Sequence, residues 1–148
     1  MKNRQMGFEI IDEITMADIA FRAYGNNLEE LFISGAGAIM HILLESPHEI
    51  TGDKSLDFQI DEENIEFLYF EFLQKIIYYK DAHLILLLPE KISIEKKPTG
   101  YCLLYKGKGE KINKNKHKFK TDIKAVTMHN LKIGKHDEIW IATTVVDV

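Results

Sequence analysis

The sequence predicts an α+β fold: a single domain in which two helices pack on a mostly antiparallel β-sheet. Three observations carry the prediction. Two runs with helical periodicity occupy the first half of the chain, between residues 28 and 43 and between residues 65 and 77. From Leu84 onward the texture changes to short apolar or alternating runs cut by glycine and proline. The resulting order is two strands and a helix, a strand and a helix, then several strands, which is the layout of an α+β domain.

The elements follow in turn. Residues 8–11 and 19–24 read as strands, the second alternating with period 2. Asn27 is placed to cap a helix, and Glu30 stands three residues on in a capping-box-like spacing. Leu28, Leu31, Phe32, Gly35, Ile39, Ile42 and Leu43 recur as one buried stripe, and the helix should stop near Glu45, ahead of Pro47. Gly35 and Gly37 weaken its middle by about 1 kcal/mol each relative to alanine, which points to close packing on a sheet. Residues 55–60 form a candidate strand. Asp61 is expected to open the second helix, with Glu62, Glu63 and Glu66 crowded where the macrodipole favours anions. Capping accounts for these acids without chemistry. Ile65, Leu68, Tyr69, Phe72, Leu73, Ile76 and Ile77 supply the buried face, with Lys75 and Lys80 toward the C-terminus.

The remaining strand candidates are LILLL, ISIEK, YCLLYKG, IKAVTMHNLKI and EIWIATTVVDV. Turn signals at Pro89, Pro98-Thr99-Gly100, Gly107/Gly109 and Gly134 divide them. Neither a flexible linker nor an internal repeat interrupts the chain, so residues 1–148 form one domain.

Composition narrows the function classes. A chain of 148 residues, 45% apolar and 28% charged, buries a core without staples. A net charge of −4 argues against a general nucleic-acid coat protein but permits local basic patches. Cys102 is the only cysteine, which rules out an intrachain disulfide and a cysteine-based zinc site and suits a reducing interior. The N-terminus lacks an apolar export core, and the longest apolar run, residues 84–88, is far too short to span a bilayer. The expectation is a cytoplasmic protein with no membrane partner.

The common catalytic patterns are missing: there is no P-loop, GxSxG or HExxH. His41, His48, His83, His117, His129 and His136 are scattered, and Cys102 reads as a plain core or edge residue. The segment KGKGEKINKNKHKFKTDIK, residues 106–124, is rich in lysine. Lysines can follow a phosphate backbone, but the stretch has no arginine and only Phe119 as an aromatic. It reads as a solvated hairpin or loop, or as a docking surface for an acidic partner or RNA. Asp18 heads the alternating strand, and the chain ends on Val145-Val146-Asp147-Val148, still strand-like. A terminus of this kind is held in a sheet, which would fix the Val148 carboxylate beside Asp147. By pattern alone, Asp18 and Asp147 are two exposed strand-end acids.

Three ordered motifs resemble the archease family, small proteins that activate the GTP-dependent ligase of tRNA splicing. The first is Ala17-Asp18-Ile19-Ala20-Phe21-Arg22-Ala23-Tyr24-Gly25 followed by Leu28-Glu29-Glu30-Leu31-Phe32. The second is Lys124-Ala125-Val126-Thr127-Met128-His129-Asn130-Leu131, and the third is the Val145-Val146-Asp147-Val148 end. The match covers nearly the whole chain. It departs from the family pattern at Thr15 and Met16, where the family has His and Thr, at Met128 for an aromatic, and at Asn130 for Asp.

The resemblance implies a divalent-cation site made by Asp18, Asp147 and the carboxylate of Val148. Convergent carboxylates repel unless a cation neutralises them, and all-oxygen ligation suits Ca²⁺, Mg²⁺ or Mn²⁺ rather than zinc. His129 is a candidate for the same neighbourhood, or a satisfied structural histidine. The resemblance further implies an accessory activator rather than an enzyme. It would dock on the tRNA-splicing RNA ligase, promote transfer of GMP from GTP to the ligase's own histidine, and support multiple turnovers. The alternative is an RNA-binding or chaperone-like module acting through the 106–124 lysines.

Overall fold

The computed structural model describes residues 7–15 and 17–148, with backbone alone at 12–15. The reading of the extreme N-terminus, the departure at Met16 and the side chain of Thr15 lie outside the described residues. The order of elements is β1 (Gly7–Thr15), β2 (Asp18–Gly25), α1 (Leu28–Leu43), β3 (Lys54–Glu62), α2 (Ile65–Tyr78), β4 (Ile85–Lys97), β5 (Gly100–Lys111), β6 (Ala125–His136) and β7 (Ile139–Asp147). A 3₁₀ turn spans Pro47–Glu49, and a π-turn, Tyr79–His83, extends α2.

The α+β class is as expected, and the strands divide between two sheets, β1-β2-β7-β6 and β3-β5-β4, with every pairing antiparallel. Both helices touch both sheets: α1 packs on β1, β2, β7 and β4, while α2 packs on β6, β3 and β5. The core lies along these contacts, with Phe21, Leu31, Phe32, Leu43, Phe72, Leu87, Leu103 and Val146 fully buried.

Helix α1 begins as its sequence demands. The Asn27 side chain accepts the Glu30 N–H at 2.9 Å, and the Glu30 carboxylate reaches back to the N–H of Asn26 at 3.0 Å. Gly35 permits a close approach, but to the other helix: a Cβ there would press on the Tyr69 hydroxyl and come within 2.9 Å of its ring carbons. Gly37 does meet a sheet, at Phe8 of β1.

Helix α2 starts later than expected, at Ile65. Asp61 and Glu62 still belong to β3, paired with Cys102 and Tyr101 of β5, and Asn64 is the cap. Its extended backbone (φ −131°, ψ 166°) lets its side chain accept the Phe67 N–H at 2.9 Å. Ladder pairing held the two acids in the strand, leaving Glu66 as the acid in the first turn.

LILLL and ISIEK are one strand rather than two. Pro89 marks a register shift in β4, an edge strand, where a missing N–H breaks no interior ladder. Gly107 and Gly109 lie inside β5, and Gly134 lies inside β6. The turn between β6 and β7 uses Asp137 and Glu138, with φ of 50° and 69°, the left-handed pair of a tight hairpin. No helix among the described residues is long and apolar enough to cross a membrane.

Candidate metal site at the end of β2 and β7

Alternation along β2 sends Phe21 and Ala23 into the core, so Asp18, Ala20, Arg22 and Tyr24 share the opposite face. β7 lies antiparallel to β2 in a register that sets Asp147 directly across from Asp18. The Val148 N–H donates to the Ala17 carbonyl at 2.8 Å. That bond makes Ala17 and Val148 the hydrogen-bonded pair, so Asp18 and Asp147 form the adjacent non-hydrogen-bonded pair. In such a pair the Cα atoms are about 4.5 Å apart and the side chains stand closest. Two residues more than a hundred positions apart in sequence thus present carboxylates on one face at one level.

Neighbouring strands complete the row. Thr15 of β1 lies across from Asp18, and Ala125 of β6 lies across from Asp147. The Lys124 N–H donates to the Asp147 carbonyl at 2.8 Å. The Val148 side chain packs against the core, which anchors the residue that follows Asp147. Asp18, Asp147 and Val148 are all half-buried.

Like charges set directly opposite destabilise a sheet pair, and a hard cation reverses the sign of that term. The donor set fits one: carboxylate oxygens without thiolate or imidazole match Ca²⁺, Mg²⁺ or Mn²⁺. Among the described residues no group of three or more His, Cys, Asp and Glu side chains is placed to hold a metal. The two aspartates alone therefore do not make a complete shell, and a cation between them would need further donors.

His129 is not held in the ladder. Pairing between β6 and β7 breaks between Thr127 and Lys132, and Asn130 takes a left-handed backbone, φ 54°. Thr127 Oγ1 donates to the Val145 carbonyl at 3.0 Å and accepts the His129 N–H at 3.2 Å, fixing the bulge. The His129 ring is exposed, and among the described residues it has no hydrogen-bond partner.

The lysine-rich stretch is more ordered than its composition suggests. It begins as the end of β5, and the loop that follows is pinned by His117, which is 3% exposed. His117 Nδ1 accepts the Asn113 N–H at 3.0 Å, so the neutral ring carries its proton on Nε2, which faces Glu110 Oε1 at 3.1 Å. Glu110 also accepts from Lys116 at 2.6 Å and from the Thr51 N–H at 2.9 Å. Burial alone would raise the Glu110 pKa, but these donors outweigh it and hold the carboxyl at about 2. The sequence reading missed this cluster, because nothing in a lysine run marks one histidine as buried. Cys102 is buried; desolvation and the adjacent Asp61 carboxylate push its thiol up, the reverse of an activated nucleophile.

Comparison with known proteins bears on the family and the fold. The model of the archease protein family (MTH1598/TM1083) matches residues 8–148. The protein archease of Pyrococcus furiosus is 34% identical over 133 residues, 89% of this chain and 93% of that one. The protein archease of Methanosarcina barkeri is 29% identical over 149 residues, all of both chains. The solution structure of Methanobacterium thermoautotrophicum protein 1598 superimposes with a TM-score of 0.82 at 28% identity, covering 96% of this chain and 99% of that one. A Thermotoga maritima crystal structure, described as an archease and possible chaperone, shares the fold with a TM-score of 0.58 at 20% identity, over 95% of this chain and 98% of that one. The chain belongs to the archease protein family.

Proposed function

We propose that this chain activates a GTP-dependent tRNA-splicing RNA ligase, promoting guanylylation of the ligase and its multiple turnover, and that it acts as an accessory protein rather than an enzyme. The observation that carries the reading is the direct pairing of Asp18 with Asp147 beside Val148. Asp18, Asp147 and the Val148 carboxylate would hold a divalent cation, Ca²⁺, Mg²⁺ or Mn²⁺. Bound there, the cation supplies charge neutralisation and Lewis acidity toward phosphate oxygens.

The protein's own contribution is placement. Ladder pairing holds the two aspartates at one level, and the Ala17–Val148 hydrogen bond holds the backbone of the residue whose carboxylate would be the third ligand. Two or three carboxylates leave coordination positions for a partner's groups, which suits delivery into another protein's reaction. The reading places the chain in the cytoplasm with its ligase and away from membranes.

The test is ligase guanylylation from GTP with wild type, Asp18→Ala and Asp147→Ala. Both variants are expected to lose stimulation while remaining folded. Wild-type stimulation by both would sink the site. Residues appended after Val148 should impair activity if its carboxylate ligates, and an indifferent extension would remove Val148 from the proposal.

A further inference from the structure

The 106–124 stretch has Phe119 as its one aromatic residue, and the fold brings others to it. The π-turn Tyr79–His83 places Tyr78, Tyr79 and His83 in one cluster, with ring centroids 5.3 to 5.9 Å apart. Tyr78 is 53% exposed, His83 is exposed, and Lys75 Nζ lies 6.0 Å from the Tyr78 ring centroid. Lys111 Nζ reaches the His83 carbonyl at 3.5 Å, and the Ile112 N–H donates to the Leu84 carbonyl at 2.8 Å, so cluster and loop are contiguous.

Leu84 and Ile112 of this seam also line a groove of about 610 Å³. Its apolar part is Leu84, Ile112 and Phe119, and Lys114 and Lys118 stand on its rim. Leu84 is 52% exposed and Phe119 37% exposed, and Leu84 keeps a left-handed backbone, φ 56°, that a bulky residue rarely adopts. Glu45, Asp81 and Asp122 also border the groove, with Lys80 shared between Asp81 and Asp122 at 2.5 and 2.7 Å, so the excess positive charge lies with the loop lysines and not with the groove floor. Among the described residues, Lys111, Lys114 and Lys118 have no carboxylate partner.

We infer that this surface, Tyr78 and His83 continued through Lys111 to Lys114, Lys118 and Phe119, docks single-stranded RNA. Ammonium groups without a carboxylate partner attract the phosphates, and exposed aromatic side chains stack unpaired bases without regard to sequence. An acidic polypeptide would use the lysines but leave the rings without a role. The choice of RNA over DNA rests on the ligase reading above; the surface itself is independent of Asp18 and Asp147.

The experiment is fluorescence anisotropy of a labelled oligoadenylate of about twelve nucleotides, titrated with the full chain across a salt series. Duplex RNA, the DNA oligomer of the same sequence and polyglutamate serve as competitors. Wild type should bind, with affinity falling as salt rises. Lys114→Gln combined with Lys118→Gln should reduce the log–log salt slope by about 1.4, at about 0.7 per lysine on a single strand. Tyr78→Ala should weaken binding about five-fold or more with the slope unchanged, and Tyr78→Phe should restore it. These side chains are exposed, so their loss spares the core. Asp18→Ala should bind RNA like wild type, which separates this surface from the activation site. The inference is overturned by absence of binding at low salt, by indifference to both sets of substitutions, or by displacement with polyglutamate, duplex or DNA in preference to single-stranded RNA.

Discussion

Replacing Glu110 by glutamine keeps the shape of the side chain and removes the charge that gathers Lys116, His117 and the Thr51 N–H. The native carboxyl titrates at about 2, against an ordinary value of 4.5. At about 1.36 kcal/mol per pKa unit, that gap sets a ceiling of about 3 kcal/mol. Glu110 is 15% exposed at its side chain, and solvent screening brings the expected contribution nearer 2 kcal/mol. Because the folded pKa is depressed, the unfolded chain binds the extra proton. The stability is therefore fully present above the unfolded value and is lost as pH falls from about 4.5 toward about 2. Urea unfolding of wild type and Glu110→Gln across this range should show a gap of about 2 kcal/mol at neutral pH. The gap should close as the wild-type carboxyl protonates. A gap independent of pH, or none at neutral pH, would refute the assignment of Glu110 as the ionised pin of the loop.

Gly35→Ala gains about 1 kcal/mol of helix propensity but sets a methyl against the fully buried Tyr69. The net expectation is a loss of about 1–2 kcal/mol, read as a lower melting temperature; an unchanged or raised one would count against the close helix contact. Asn64→Ala should cost about 1 kcal/mol as a lost cap, whereas Asp61→Ala should leave α2 intact; equal effects in denaturant titrations would contradict the assigned start of α2. Thr127→Val removes both hydrogen bonds of the β6 bulge, so amide exchange at residues 128–131 should accelerate relative to wild type. Unchanged protection there would show that the bulge is held by other contacts.

Much of this was legible along the chain. The periodic stripe of α1 and its Asn27 cap are local features, and local sequence specifies them. The start of α2 was missed because Asp61 and Glu62 resemble capping acids until β5 is seen to pair with them. Pro89, Gly107 and Gly109 looked like punctuation, yet an edge bulge absorbs the proline, and the glycines leave room for Leu88, Tyr105, Leu56 and Ile85. At the site, sequence could name Asp18 and Asp147 but supply no register between strands at opposite ends of the chain. Their pairing depends on β7 inserting between β2 and β6, a tertiary choice made by the burial of Phe21, Ala142 and Val146. The His117–Glu110 cluster and the aromatic border of the lysine loop are likewise products of packing between distant segments.

The most direct test of the carboxylate site is titration of the isotope-labelled chain with Mn²⁺ while amide resonances are followed. The account predicts early, selective broadening at Ala17, Asp18, Lys124, Asp147 and Val148, abolished by Asp18→Ala or Asp147→Ala. Broadening centred elsewhere, or unchanged in those variants, would contradict it.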